Sequence, residues 1–261
     1  MIFDTHAHYH YEAFDGDRDN LLAVLPENGI LRIVNASSSV SSNETTLQLA
    51  EQWPFVYAAF GVHPSNTAEL AEENFKRIKE LTDHPKCVAV GEIGLDYYYD
   101  EPSRDLQKKW FAAQIQLAKE KGKPVIIHSR DAAQDTYDLM KAEHAGDCGG
   151  VVHCFSYSKE MARLYVRMGF YIGVGGVVTF KNARVLKEVV EDIPLEYIVL
   201  ETDCPYLAPV PFRGKRNSSL NLPFVVEQIA QIKGITVQEV EEIIWRNALR
   251  LYRFSDIGID S

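Results

Sequence analysis

Residues 2–8 read Ile-Phe-Asp-Thr-His-Ala-His, a short run of mostly apolar or β-branched residues ending on two histidines spaced by two. Side chains alternate along an extended chain, so His6 and His8 project to the same side and can chelate one ion. The arrangement recurs down the sequence. Residues 87–91 precede Glu92, 125–127 precede His128, 150–152 precede His153 and 197–202 precede Asp203. Short runs of this kind, bounded by turn formers, read as buried parallel strands. In a barrel of parallel strands the C-terminal ends converge on one mouth, so residues far apart in sequence can surround one ion.

Eight strand-like runs are expected: 2–5, 31–35, 55–60, 87–91, 124–127, 150–152, 170–173 and 197–201. Segments of helical character separate them, the spacing of strand plus returning helix. The clearest helix spans about 103–121, with Leu106, Trp110, Ala113 and Leu117 on one stripe and Gly122 placed to end it. Thr236 and Glu239 form a capping-box pattern ahead of Val240, Ile243, Ile244 and Trp245, which predicts a final helix packed on the barrel. No repeat or low-complexity linker divides the 261 residues. The predicted fold is α/β, a single-domain (β/α)8 TIM barrel over residues 1–261, with its site at the C-terminal ends of the strands.

A net charge of −10 argues against an extended footprint on duplex nucleic acid, which usually accompanies a basic domain. A small phosphate-bearing substrate remains compatible, because divalent ions reverse the sign locally and Arg213, Lys215 and Arg216 follow the last strand. Cys87, Cys148, Cys154 and Cys204 show no C-x-x-C spacing, and a chain of this size needs no disulfide framework. Cys87 and Cys154 are expected to be small core residues. No apolar run approaches the roughly 18 residues of a membrane span, and the start lacks a signal-like pattern. A soluble, cytoplasmic protein is expected, with no membrane partner; the sequence leaves the oligomeric state open, a monomer being one option.

Glu92 and Asp203 are acids that would be costly to bury without partners, and bound cations offset that cost. With His6, His8, His128 and His153 they form a candidate metal set. The expected cofactor is a pair of divalent ions from zinc, manganese, magnesium, cobalt and iron. Mixed imidazole and carboxylate ligands suit zinc, manganese, iron and cobalt, whereas an all-oxygen site would suit magnesium. Asp4, in the same strand end as His6, is expected to support these residues and not to bind metal.

The motifs FDTHAHY (3–9), GVHP (61–64), GEIGLDYY (91–98), HSRDA (128–132), HCFS (153–156) and ETDCPYLAP (201–209), followed by RGKRN, resemble the TatD family of metal-dependent deoxyribonucleases over nearly the whole chain. The resemblance implies that His6, His8 and Asp203 hold one ion, that His128 and His153 hold the other, and that Glu92 bridges them. It also implies that Asp203 handles the proton of the attacking water while a metal-activated hydroxide cleaves DNA, often from a 3′ end. The sequence departs from the family pattern in two places. Ser218 and Ser219 stand where Glu-Pro is common, and Tyr157 follows HCFS where glycine is usual.

Around these residues, Arg130 should steady a phosphate at the mouth, since a planar guanidinium suits that task. Lys215 and Arg216 could meet a nucleic-acid backbone. His63 ends the third strand before Pro64 and is expected to touch substrate and not metal. Tyr97, Tyr98 and Tyr99, and likewise Phe155, Tyr157 and Phe180, could stack bases, with at least one of the three tyrosines packing its loop instead. The expected activity is hydrolysis of DNA phosphodiester bonds, by 3′–5′ exonuclease action on single-stranded ends. Two rival readings use the same residues: hydrolysis of a non-DNA ester or amide, such as an aminoacyl ester or small cyclic amide, or a metal-stabilised protein that binds nucleic-acid ends without turnover.

Overall fold

The structure is a computed structural model that describes residues 1–255, so residues 256–261 of the expected 1–261 span lie outside the described residues. Eight parallel strands pair in sequence order, β1 (Ile2–Ala7), β2 (Ile30–Ala36), β3 (Val56–Phe60), β4 (Cys87–Asp96), β5 (Val125–Arg130), β6 (Gly150–Val152), β7 (Phe170–Val174) and β8 (Ile198–Leu200). Between or after them run α1 (Arg18–Val24), α2 (Val40–Gln52), α3 (Glu72–Leu81), α4 (Arg104–Lys121), α5 (Ala133–Ala142), α6 (Lys159–Arg167), α7 (Arg184–Asp192), α8 (Leu222–Lys233) and α9 (Val237–Leu251). The predicted barrel is present. Its seam joins β8 to β1, where the Thr5 hydroxyl donates to the Leu200 carbonyl at 2.7 Å and the Asp203 amide to the His6 carbonyl at 3.0 Å.

Every residue of β1, β4, β6 and β8 is buried, as expected of strands covered on both faces. Ser103 caps α4 by accepting from the Leu106 amide, and Gly122 ends it in the left-handed conformation at φ 61°. Of its predicted stripe, Trp110 and Leu117 are buried, while Leu106 and Ala113 are partly buried against the core. The predicted capping box opens α9 at Thr236 and Glu239, and Trp245 packs against Phe3 of β1 with ring centroids 5.9 Å apart. Among the described residues no helix is long and apolar enough to cross a membrane.

The strand ends differ from the sequence reading where function concentrates. β4 continues five residues past the expected 87–91, because Glu92, Ile93, Gly94, Leu95 and Asp96 remain buried and most pair with β5. Glu92 therefore lies inside the strand. β8 stops at Leu200, short of the expected 201, and the chain reaches Asp203 through backbone bonds to β1. Asp203 (φ 54°) and Cys154 (φ 45°) hold left-handed backbone uncommon for residues with a side chain, and both stand at the barrel mouth.

Candidate metal centre

Even spacing along an extended chain puts His6, near the end of β1, and His8, one residue past it, on the same side, and their Nε2 atoms lie 3.0 Å apart. Asp203 brings Oδ1 to 3.5 Å from His6 Nε2 and 3.3 Å from His8 Nε2. Glu92 brings Oε2 to 3.6 Å and 3.4 Å from the same two nitrogens. The other oxygen of Glu92 serves a second group. Its Oε1 lies 2.8 Å from His128 Nδ1 and 2.6 Å from His153 Nε2, and those two nitrogens are 3.2 Å apart. One buried carboxylate thus divides its two oxygens between two pairs of imidazoles.

The donor set fits cations. Two ligand atoms each about 2.1 Å from a tetrahedral ion stand about 3.4 Å from each other, the scale of most of these separations. The tautomers agree as well. His8 Nδ1 donates to the Ala36 carbonyl at 2.8 Å, and His128 Nε2 donates to Asp96 Oδ2 at 3.0 Å. Each bond fixes the ring's proton on the outer nitrogen and leaves a lone pair on the inner one. The inner lone pair of neutral His128 then faces a carboxylate oxygen, a repulsive pairing that a cation or a proton relieves. Burial lowers the affinity of His6 and His128 for protons, but hydrogen bonds to the acids outweigh it and raise both to about 9. Burial raises the Glu92 carboxyl, yet the surrounding histidines hold it well below the usual range. Protons and metal ions compete for the same lone pairs.

All six expected metal ligands therefore meet at one place, and three triads drawn from these residues and His63 have the mutual spacing to hold an ion. His63 Nε2 reaches within 3.6 Å of Glu92 Oε1, closer than a remote substrate contact requires. Its Nδ1 accepts from the Ser65 amide at 3.1 Å, so the neutral ring carries its proton on Nε2 and presents a donor, not a lone pair, toward Glu92. Burial, reinforced by His128, lowers its pKa to about 3 and keeps it neutral.

Arg130 stacks on Tyr98, its guanidinium carbon 3.7 Å from the ring centroid, and Tyr98 and Tyr99 are more than half exposed. Tyr97 packs its loop, donating to Asp135 at 2.8 Å beneath Arg104. Lys215 is exposed beside a groove with Tyr11 and Tyr206. Arg216 lines that groove too, but its guanidinium is bound to both oxygens of Asp17, at 2.7 and 2.6 Å, and to the Ala13 carbonyl. Cys154 differs from the core residue expected: it is partly exposed, since its backbone turns at the mouth. Phe155 is buried.

The two departures from the family pattern take structural partners. Tyr157 bonds through its hydroxyl to Ser129 Oγ at 2.9 Å and the Ala132 amide at 3.3 Å, bracing the loop that follows Arg130. Ser219 is fully buried and donates to Asp4 Oδ2 at 2.7 Å. Asp4 also accepts from the Thr202 amide and hydroxyl at 3.0 and 2.7 Å and from the His6 amide at 3.3 Å. It supports the strand that carries His6 without reaching the centre, as the sequence reading held.

Two residues escaped that reading. Asp96, which fixes the His128 ring, stands four positions after Glu92, and even spacing on one strand was the available signal. Glu201 is buried with Oε1 accepting from the Cys154 amide, and burial raises its pKa to about 8. Replacing Asp96 with alanine is expected to weaken metal affinity about 10- to 100-fold, the usual effect of losing a carboxylate behind a histidine ligand. Competition with a chelator of known affinity measures it; an unchanged affinity would show that Asp96 does not orient His128.

The model of the family described as TatD related DNase matches residues 3–253. YabD of Bacillus subtilis (strain 168), an uncharacterized metal-dependent hydrolase, is 44% identical over 255 residues, covering 98% of this chain and 100% of that protein. YcfH of Escherichia coli K12, described in the same words, is 35% identical over 264 residues, with coverage of 100% and 99%. The crystal structure of YjjV, a TatD homologue from Escherichia coli K12, matches with a TM-score of 0.91 at 30% identity over 97% of this chain and 98% of that one.

Proposed function

The chain belongs to the family of TatD-related DNases and is a metal-dependent hydrolase, and on that premise we propose that it cleaves DNA phosphodiester bonds, removing nucleotides from single-stranded 3′ ends. The division of the Glu92 carboxylate between the His6–His8 and His128–His153 pairs carries this reading, because phosphodiester hydrolysis is the chemistry a paired-cation centre serves well. Two bound divalent ions supply Lewis acidity to the phosphoryl oxygens and lower the pKa of the attacking water.

The protein's own residues do the rest. His6, His8 and Asp203 form one holding group, His128 and His153 the other, with Glu92 shared between them. Asp203 turns Oδ1 to the histidines, and no group among the described residues hydrogen-bonds its Oδ2. That oxygen accepts the water's proton as the new P–O bond forms. Arg130, held flat on Tyr98, grips the phosphate, and the Nε2–H of His63 adds a neutral donor. The 3′ oxygen leaves with the electron pair of the broken P–O bond and takes a proton from solvent.

Digestion of single-stranded oligonucleotides carrying a 5′ label, with metal-loaded protein and a chelated control, tests the proposal. The expected product is a ladder shortening from the 3′ end only when metal is present. Intact DNA beside metal-dependent cleavage of an aminoacyl ester or cyclic amide would replace the proposal with the ester or amide reading.

A further inference from the structure

The turn from Asp203 to Leu207 separates two depressions at the mouth. On one side lies the groove of about 570 Å³ lined by Tyr11, Tyr206, Lys215 and Arg216. On the other is a cavity of about 180 Å³ between the ends of β7 and β8, with Asp203 in its wall. Most of the remaining wall is apolar: Phe155, Val177, Ala183, Leu186 and Leu207. Pockets for drug-sized ligands run to roughly 300–1,000 Å³, so this cavity suits a single ring system.

Two glycines let the wall pack closely around Glu201 and Leu207. A Cβ on Gly173 would come within 2.3 Å of Glu201 Oε2, and one on Gly176 within 2.1 Å of the Leu207 carbonyl oxygen. Glu201 also lines the cavity, and its buried Oε2 has no hydrogen-bond partner among the described residues. Such an atom is costly to leave unpaired, and the centre described above does not use it. An aliphatic occupant would leave it unsatisfied. A nucleobase has apolar faces for the walls and an edge bearing both donors and acceptors, which matches Glu201 in either protonation state.

We propose that this cavity is a base subsite, receiving the base of the terminal nucleotide while the rest of the strand lies across the Asp203–Leu207 turn. The inference rests on the DNA reading for the identity of the polymer. A small pocket on one side of Asp203 and a larger, more open groove on the other would admit one nucleotide past the scissile phosphate, and so favour ends over internal bonds. The base is recognised by fit and one polar edge contact, which permits little discrimination among bases.

Calorimetric titration of metal-loaded protein with thymidine 5′-monophosphate and with 2-deoxyribose 5-phosphate separates the base from the sugar phosphate. Wild-type protein should bind the nucleotide about tenfold more tightly, the scale of stacking one base. Ala183→Phe fills the cavity and should erase that advantage; if it fails to fold, Asn182→Trp, at an exposed position lining the same cavity, serves instead. Equal affinities in wild type, or an advantage intact in the folded variants, would overturn the subsite. Failure of the DNA reading would show separately, as intact oligonucleotide beside base-dependent binding of the monophosphate.

Discussion

Protein carrying Glu92→Ala is expected to fold like the parent and to lose about three orders of magnitude or more in turnover, the kinetic equivalent of several kcal/mol of transition-state stabilisation. Glu92 meets both imidazole pairs within 2.6–3.6 Å, with its side chain buried in the interior of β4. Removing the carboxylate takes one anionic ligand atom from each pair at once. It also removes the shared negative charge that would offset the repulsion between two cations held by neighbouring imidazole pairs. Glu92→Gln sharpens the test, since it keeps the shape and one carbonyl oxygen but turns an NH2 group toward lone pairs. Elemental analysis of purified protein, read beside initial rates, should show less bound metal in both variants. Parent-level activity with a full metal complement in the alanine protein would remove Glu92 from the bridging role.

Much of this centre is legible in the sequence because its chemistry is concentrated in residue types that are rare inside a core. A histidine or acid closing an apolar strand needs a reason, and the structure gathers all six of them at one place. Strand continuation was less legible. Nothing local distinguishes 87–91 from 87–96, since what carries β4 onward is its pairing with β5, with Gly94 opposite His128 and Asp96 opposite Arg130. Asp96 went unassigned for that reason, although it shares a strand face with Glu92. The roles of Ser219 and Arg216 depend on partners 215 and 199 positions away, Asp4 and Asp17, which no spacing rule reaches. The base cavity is a property of how the loops after β6, β7 and β8 meet: the HCFS and ETDCPYLAP motifs supply part of its wall, but nothing in either shows that they face one another.

A single methyl group added at Gly94 is expected to do nearly as much damage as loss of Glu92, by a different route. Gly94 sits at φ +149°, where an L side chain is strained, and its pairing partner in β5 is His128. A Cβ there would stand 1.9 Å from the His128 carbonyl oxygen and 2.8 Å from its carbonyl carbon. These are backbone atoms, so no side chain can swing aside and the two strands must part. Overpacking of this kind costs about 3 kcal/mol or more, and at 2–4 °C per kcal/mol the melting temperature of Gly94→Ala should fall by roughly 10 °C. Gly16→Ala, where an added Cβ meets nothing within 4 Å, is the control and should melt with the parent. Parting the strands also moves His128 away from Glu92. Metal that stabilises the parent by mass action should then stabilise the variant less at the same free concentration. Thermal unfolding with and without chelator measures both effects. A Gly94→Ala protein that melted within a degree or two of the parent, with the parent's response to metal, would mean that the β4–β5 pairing opposite His128 can yield without disturbing the centre.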